Sequence, residues 1–319
     1  MNRPLLRLIV ARLLLSLLSL LAVSVIVFGV MEALPGDTAQ RMLGRDATVQ
    51  SLAVLRAELH LERPASERYS LWLVGVLHGD FGNSLVARRP VLPYIAGHFG
   101  HSLLLAGIAL ALHVPLAISL GLLGAASRRD GAVDTAISAA ALLGMSVPEF
   151  VIGILLVAIL ATTLGWFPPL ALIDQAHTPL NVLRTLFLPV LTLNTAMTAY
   201  VLRQTRNAMF DVLRSDYVRM ATLRGLPRWH VLLRHALPNA LAPAINAIAL
   251  NSGWLVGGVV VIEVVFNYPG LGRLLVESIS FHDVPMILGA ALVLSATYIS
   301  INLLADVATM LLTPKLRVR

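Results

Sequence analysis

The chain has 319 residues, 57% of them hydrophobic and only 13% charged, with 24 lysines and arginines against 17 acids. A soluble domain carries about 25% charged residues, so this chain is solvated mainly by lipid, and its basic excess belongs to cytoplasmic loops rather than to a nucleic-acid surface. The absence of cysteine excludes disulfides, thiolate metal sites and cysteine nucleophiles.

A bilayer-crossing helix takes about 20 mostly apolar residues. Arg3, Arg7 and Arg12 precede an uncharged run from Leu13 to Met31. That run is longer than a signal-peptide core and ends without a small-x-small cleavage site, so it reads as a retained anchor, residues 9–31. Further spans are predicted at 101–125, 135–164, 185–206, 239–265 and 284–312. The expectation is an all-α polytopic membrane protein with six transmembrane helices. Its parts are an N-terminal tail and first span (1–31), an external loop region (32–97) and a five-span core (98–319) carrying a basic elbow at 207–238.

Basic residues fix the orientation. Placing Arg3, Arg7 and Arg12 inside also puts Arg128 and Arg129, the seven arginines between Val201 and Pro238, and Lys315, Arg317 and Arg319 inside. Fifteen of the 24 basic residues then share one side, with both termini cytoplasmic. The external loop 32–97 balances seven basic residues against seven acids. Pro35-Gly36 opens it with a turn, and two short amphipathic helices are expected near 47–60 and 64–78. Trp72 and Trp166 suit membrane-boundary anchoring.

The elbow is too charged for hydrocarbon, where a central arginine costs roughly 2.5–3.5 kcal/mol. Its apolar residues Val212, Leu213, Met220 and Leu223 recur at helical spacing, so it is structured. A first helix is expected over 211–224, with Gly225 as a left-handed C-terminal cap. Pro227 suits the first turn of a second helix, which carries Trp229, Leu232, Leu233 and Leu237 on one side up to Pro238. Two readings remain open from these residues: a docking surface for a soluble protein, or an interfacial helix lying on anionic membrane lipid.

Ionisable groups within spans are candidates for function. Glu149 follows Pro148 inside the third span and could receive a peptide amino group or a cationic metal complex, or pair with a polar group on another span. Glu263, near the outer end of the fifth span and close in sequence to Arg273, is the second candidate for a translocation path, with a structural role as its competing reading. Asp306, one turn after Asn302, reads as structural. His98 with His101, and His230 with His235, share helical faces without a completing carboxylate, so they read as interfacial and no metal or other cofactor is expected. A Walker A loop needs a lysine, and the sole lysine is Lys315 in the tail; any ATP hydrolysis must come from another polypeptide, and no enzyme constellation emerges. A self-sufficient secondary transporter would show an internal repeat and ion-coupled charges, and would leave the elbow without a purpose.

The elbow resembles the cytoplasmic EAA signature loop of ABC-importer permeases. Arg219-Met220-Ala221 takes its first three places, Gly225 its glycine and Leu237-Pro238 its end, all at the family spacing. The chain departs at Arg219, where the motif has an acid, and at His235, where it has an aliphatic residue. LeuProGlyAsp (34–37), LeuGluArgPro (61–64), GlyAspPheGlyAsnSer (79–84), SerValProGluPhe (146–150), AsnTyrProGlyLeuGlyArgLeu (267–274) and AsnLeuLeuAlaAsp (302–306) are similar to the peptide/nickel permease branch, in particular its dipeptide-permease-B-like subunit. The resemblance implies a type I ABC importer permease fold in the inner membrane. It also implies a second homologous permease, two ATP-binding subunits docking on the elbow and an extracytoplasmic solute-binding protein. Arg219, Met220, Ala221, Leu223, Gly225, Leu237 and Pro238 are then the residues that couple to the ATPase, with Met220, Ala221, Leu223 and Gly225 as the docking core. The cargo implied is a di- or oligopeptide, with nickel, a metal chelate or glutathione as alternatives.

Overall fold

A computed structural model describes residues 3–44, 47–127 and 131–312. Among these residues the backbone is helical, with one isolated bridge between Asn83 and Pro90 and no strand. The helices are α1 (Arg3–Ala33), α2 (Thr38–Leu43), α3 (Val49–Glu58), α4 (Ala65–Leu77), α5 (Val91–Ala126), α6 (Ala132–Ser146), α7 (Glu149–Leu156), α8 (Pro179–Leu213), α9 (Asp216–Leu223), α10 (Arg228–His230), α11 (Leu237–Val265), α12 (Leu271–Ser280) and α13 (Val284–Leu312). Two compact units divide the chain: Met1–Leu103 with Pro269–Ile299, and Leu104–Tyr268 with Ser300–Arg319. Of the orientation-setting residues, Arg128, Arg129, Lys315, Arg317 and Arg319 lie outside the described residues, as do the side chains of Arg3 and Arg7.

In the first unit, α1 exposes leucines from Leu13 to Leu21, as a lipid-facing helix does. At its end Glu32 takes a bidentate pair from Arg68 of α4 at 2.6 and 2.7 Å, and Ser24 shares a 2.8 Å hydrogen bond with the Tyr69 hydroxyl. Asp37 caps α2 by accepting the Gln40 N–H and also holds Arg56 at 2.6 Å, while a Thr48/Ser51 capping box starts α3. The two short helices expected in this region are α3 and α4, though α3 buries no residue. The segment before α13 fastens the rest of this unit. Buried Asp283 accepts from the Ser84 hydroxyl and from the Leu85 and Val86 N–H groups, and the Thr38 hydroxyl donates to the His282 carbonyl at 2.6 Å. Helices α5 and α13 touch at Gly289, where a Cβ would come within 2.8 Å of Ile95 and 2.9 Å of Val91. The expected second span began at residue 101; α5 begins ten residues earlier and is 36 residues long, roughly 54 Å.

In the second unit α8 is the central rod, packed by α6, α7 and α11 around Leu105, Leu186, Leu193, Met197, Leu255, Ile262, Phe266 and Tyr268. Glycines allow close crossings: a Cβ at Gly121 would sit 2.7 Å from Thr205, and one at Gly144 3.0 Å from the Thr195 carbonyl. The third span expected over 135–164 is interrupted at Pro148. Helix α6 ends at Ser146, Val147 is extended, and α7 runs on as a π-helical turn (Val157–Thr163) at 105° to α6. Pro148 supplies no N–H and disfavours a helical Val147, so the bend is a break rather than a kink. Among the described residues four helices are long and apolar enough to cross a bilayer (α1, α5, α8 and α13), and the bent α6–α7 pair makes a fifth if it is one span. Helix α11 contributes the shorter apolar stretch Gly253–Val265.

Candidate functional site

The elbow is built at the end of α8, which continues to Leu213 instead of stopping at 206. The expected helix over 211–224 is thus split: residues 211–213 finish α8, the chain turns at Arg214-Ser215, and α9 starts at Asp216. Gly225 follows α9 with φ +78°, the left-handed conformation expected of it, and a Cβ there would meet nothing. Backbone conformation, not crowding, therefore calls for glycine here. Pro227 is the N-cap of α10, which passes through a π-helical turn (Val231–Ala236) straight into α11.

A small core holds this loop in shape. Val218 and Ala221 of α9 pack with Val231, against Val212, Leu213 and Leu226. Leu232 and Ala236 join Met209, Ala125 and Ala240, with Leu237 partly buried beside them. The Arg228 guanidinium donates to the Ala126 carbonyl at 2.5 Å, where the negative end of the α5 dipole favours a cation. Deeper along α8, Arg206 forms a bidentate pair with Asp134 of α6 at 2.6 and 2.7 Å and lies 4.7 Å over the Phe210 ring. The Asp134 side chain is 2% exposed, so this pair is an internal tie between α6 and the elbow-bearing helix.

What remains outside is an apolar face. Met220 is 53% and Leu223 73% exposed, flanked by exposed Tyr217, Trp229 and Leu233. Arg214, Arg219 and Arg224, each within six residues of Met220 in sequence, are exposed, as are Arg203 on α8 and Arg234. The four residues expected to form one docking core are therefore separated. Met220 and Leu223 face outward and Gly225 shapes the turn, while Ala221, at 7% exposure, is part of the internal core. Likewise Trp229 and Leu233 point away from Leu232. Pro238 is exposed at the start of α11. Tyr217 and the Asp134–Arg206 tie were missed. Tyr217 shares a helical face with Met220 by its i, i+3 spacing, a signal that was available; nothing local connects residues 134 and 206.

The two candidate carboxylates occupy different surroundings. Glu149 stands in the first turn of α7, directly after the 105° break, and lies against α11 at Gly258. Glu263, further along α11, is fully buried. Next to it, beyond the end of α11, the Tyr268 N–H donates to the Glu263 carbonyl at 2.8 Å. Burial first, then the charges of Glu263 and Asp174, raise the Tyr268 phenol above its ordinary value, so it stays protonated. Of the histidines, His98 bonds its own helix at the Tyr94 carbonyl, His101 bonds the Pro269 carbonyl, and the His230 and His235 rings lie 5.6 Å apart. Among the described residues no group of three His, Cys, Asp or Glu is placed to hold a metal ion.

Residues 114–318 match the family described as binding-protein-dependent transport system inner membrane component, and residues 5–106 match the N-terminal region described for such membrane components. A putative peptide transport system permease protein of Brucella abortus (strain 2308) is 37% identical over 298 residues, covering 93% of this chain and 95% of that protein. A glutathione transport system permease protein of Salmonella typhimurium (strain LT2) is 38% identical over 299 residues, covering 94% and 95%.

Proposed function

This chain belongs to the family of binding-protein-dependent transport system inner membrane components, permease subunits of ABC transporters and not enzymes, and from that premise we propose that it carries di- and oligopeptides inward across the inner membrane. The family works with another permease, ATP-binding subunits and a substrate-binding component. In our reading the assembly has one homologous permease partner and two ATPases, and this chain crosses the membrane six times with both termini cytoplasmic.

The observation that carries this reading is the elbow. An exposed apolar face at Met220 and Leu223, with exposed Arg219 and Arg224 next to it in sequence and a small core of Val218, Ala221 and Val231 in the same loop, fits insertion into a groove of a soluble subunit. Closure of the ATPases on ATP would move α8 and α11 together, because the elbow continues into both. Such a stroke drives transport only if ATP favours one arrangement of the spans over the other. Arg219 and its neighbours steer the encounter, Gly225 sets the turn, Ala221 and Leu237 act through internal packing, and Pro238 starts the attached helix. Glu149 lies on the translocation path, and Glu263 holds the outer end of α11 beside Tyr268.

A second cargo, glutathione, is favoured by the Salmonella relative and leaves the coupling scheme unchanged. The experiment is Leu223→Glu in the assembled transporter. Burying a charge in the docking groove costs several kcal/mol, so ATP-driven uptake and co-purification of the ATPase are expected to fall at least about tenfold, while the chain still reaches the membrane. Full uptake by this variant would reject the docking role.

A further inference from the structure

Glu149 lies within the bent span, yet its Oε2 is buried without a hydrogen-bond partner among the described residues. A Cβ at Gly258 would stand 3.0 Å from that oxygen and 3.3 Å from Oε1, so the glycine leaves the room the carboxylate occupies. The residue as a whole is only partly buried. Its position in the first turn of α7 favours an anion by about 0.3–1 kcal/mol. Withdrawing a carboxylate from water costs several kcal/mol. The helix terminus therefore does not offset the burial, and the group is left either to take up a proton or to pair with a cation.

The surroundings select the kind of cation. A hard metal ion asks for six or more oxygen ligands, and the described residues bring no cluster of three metal-ligating side chains together. An ammonium group needs one anionic acceptor and completes its remaining two hydrogen bonds with carbonyls or water. We propose that Glu149 binds the amino-terminal ammonium of the peptide in transit, with Gly258 as the residue that positions its carboxylate. The inference rests on the peptide reading above and adds to it a cargo feature recognised inside the membrane. The amino terminus is common to all unblocked peptides, so such a site tolerates any side-chain sequence.

The test uses the complete transporter in proteoliposomes with its binding protein. It is offered a tripeptide library with free amino termini and the same library N-acetylated, and both uptake and ATP hydrolysis are measured. A charge-assisted hydrogen bond contributes roughly 1.5–3 kcal/mol, so Glu149→Gln is expected to lower free-amino uptake per ATP at least about tenfold while ATP hydrolysis continues. Its preference for free-amino over acetylated peptides should disappear. Gly258→Ala, which crowds the carboxylate without removing it, should give a smaller loss of the same kind. Uptake per ATP by Glu149→Gln equal to wild type would overturn this inference and leave the peptide reading standing. Loss of ATP hydrolysis along with uptake would mark Glu149 as structural and also overturn it. Wild-type uptake of no free-amino peptide would sink the peptide reading itself.

Discussion

His282 is buried in a left-handed conformation (φ +54°), and neither ring nitrogen has a hydrogen-bond partner among the described residues. Burial first, then the charge of Arg41, lowers its pKa, with Asp37 opposing. The ring therefore stays neutral in the fold at a pH where the unfolded chain, with a histidine pKa of about 6.5, already takes up a proton. Protons then favour unfolding, so stability is full above about pH 6.5 and declines as the pH falls through that value toward the lower folded one. The expected result is a lower thermal unfolding midpoint at pH 5.5 than at pH 7.5. His282→Asn, which tolerates the left-handed backbone, should flatten that dependence. An unchanged slope in the variant would assign the effect elsewhere. The Thr38–His282 hydrogen bond uses the backbone carbonyl and survives the substitution.

At the level of elements, the tie between α6 and α8 through Asp134 and Arg206 has a measurable consequence. Removing one partner of a buried pair leaves an uncompensated charge and typically costs about 3–5 kcal/mol. Asp134→Asn is expected to lower the thermal midpoint markedly, and an Asp134→Leu/Arg206→Met double variant to recover most of it; a single variant as stable as wild type would show the pair to be idle. Such a tie was invisible in the sequence because 72 residues separate its ends. Other elements were legible. Gly225-Leu226-Pro227 announced the left-handed turn, and α3 and α4 fall within the expected ranges because capping residues and turn prolines mark their ends. Pro148 marked the position of the break but not its 105° angle, since proline chemistry fixes where a helix stops and packing fixes where the next one points. Hydropathy also hid the true length of α8, whose more polar ends continue the helix past its apolar stretch. On α9, both faces carry apolar residues. Which one turns inward is decided by Val231, ten residues after Ala221, and not by the helix itself.

For the molecule as a whole, the proposed topology yields a labelling pattern. The chain contains no cysteine, so single introduced thiols report sidedness without a background. In sealed, right-side-out vesicles, an impermeant maleimide should reach Ser66→Cys on α4 and leave Leu223→Cys on the elbow untouched. Inverted vesicles stripped of the ATPase subunits should reverse the outcome, and labelling of Leu223→Cys from outside would invert the orientation and remove the docking proposal with it. Both positions are exposed, so protection would reflect the bilayer and not local packing.

Helix α1 buries only 11% of its most apolar stretch within this chain. Its sequence is therefore constrained by greasiness and length more than by knob-and-hole fit to its own protein. Replacing it with an unrelated hydrophobic helix of equal span keeps the described ties to α4 provided that Ser24, Phe28 (its ring 5.2 Å from that of Tyr69) and Glu32 are retained. During synthesis such a segment has little to wait for, and it can enter lipid before the partners of the remaining helices have emerged from the ribosome.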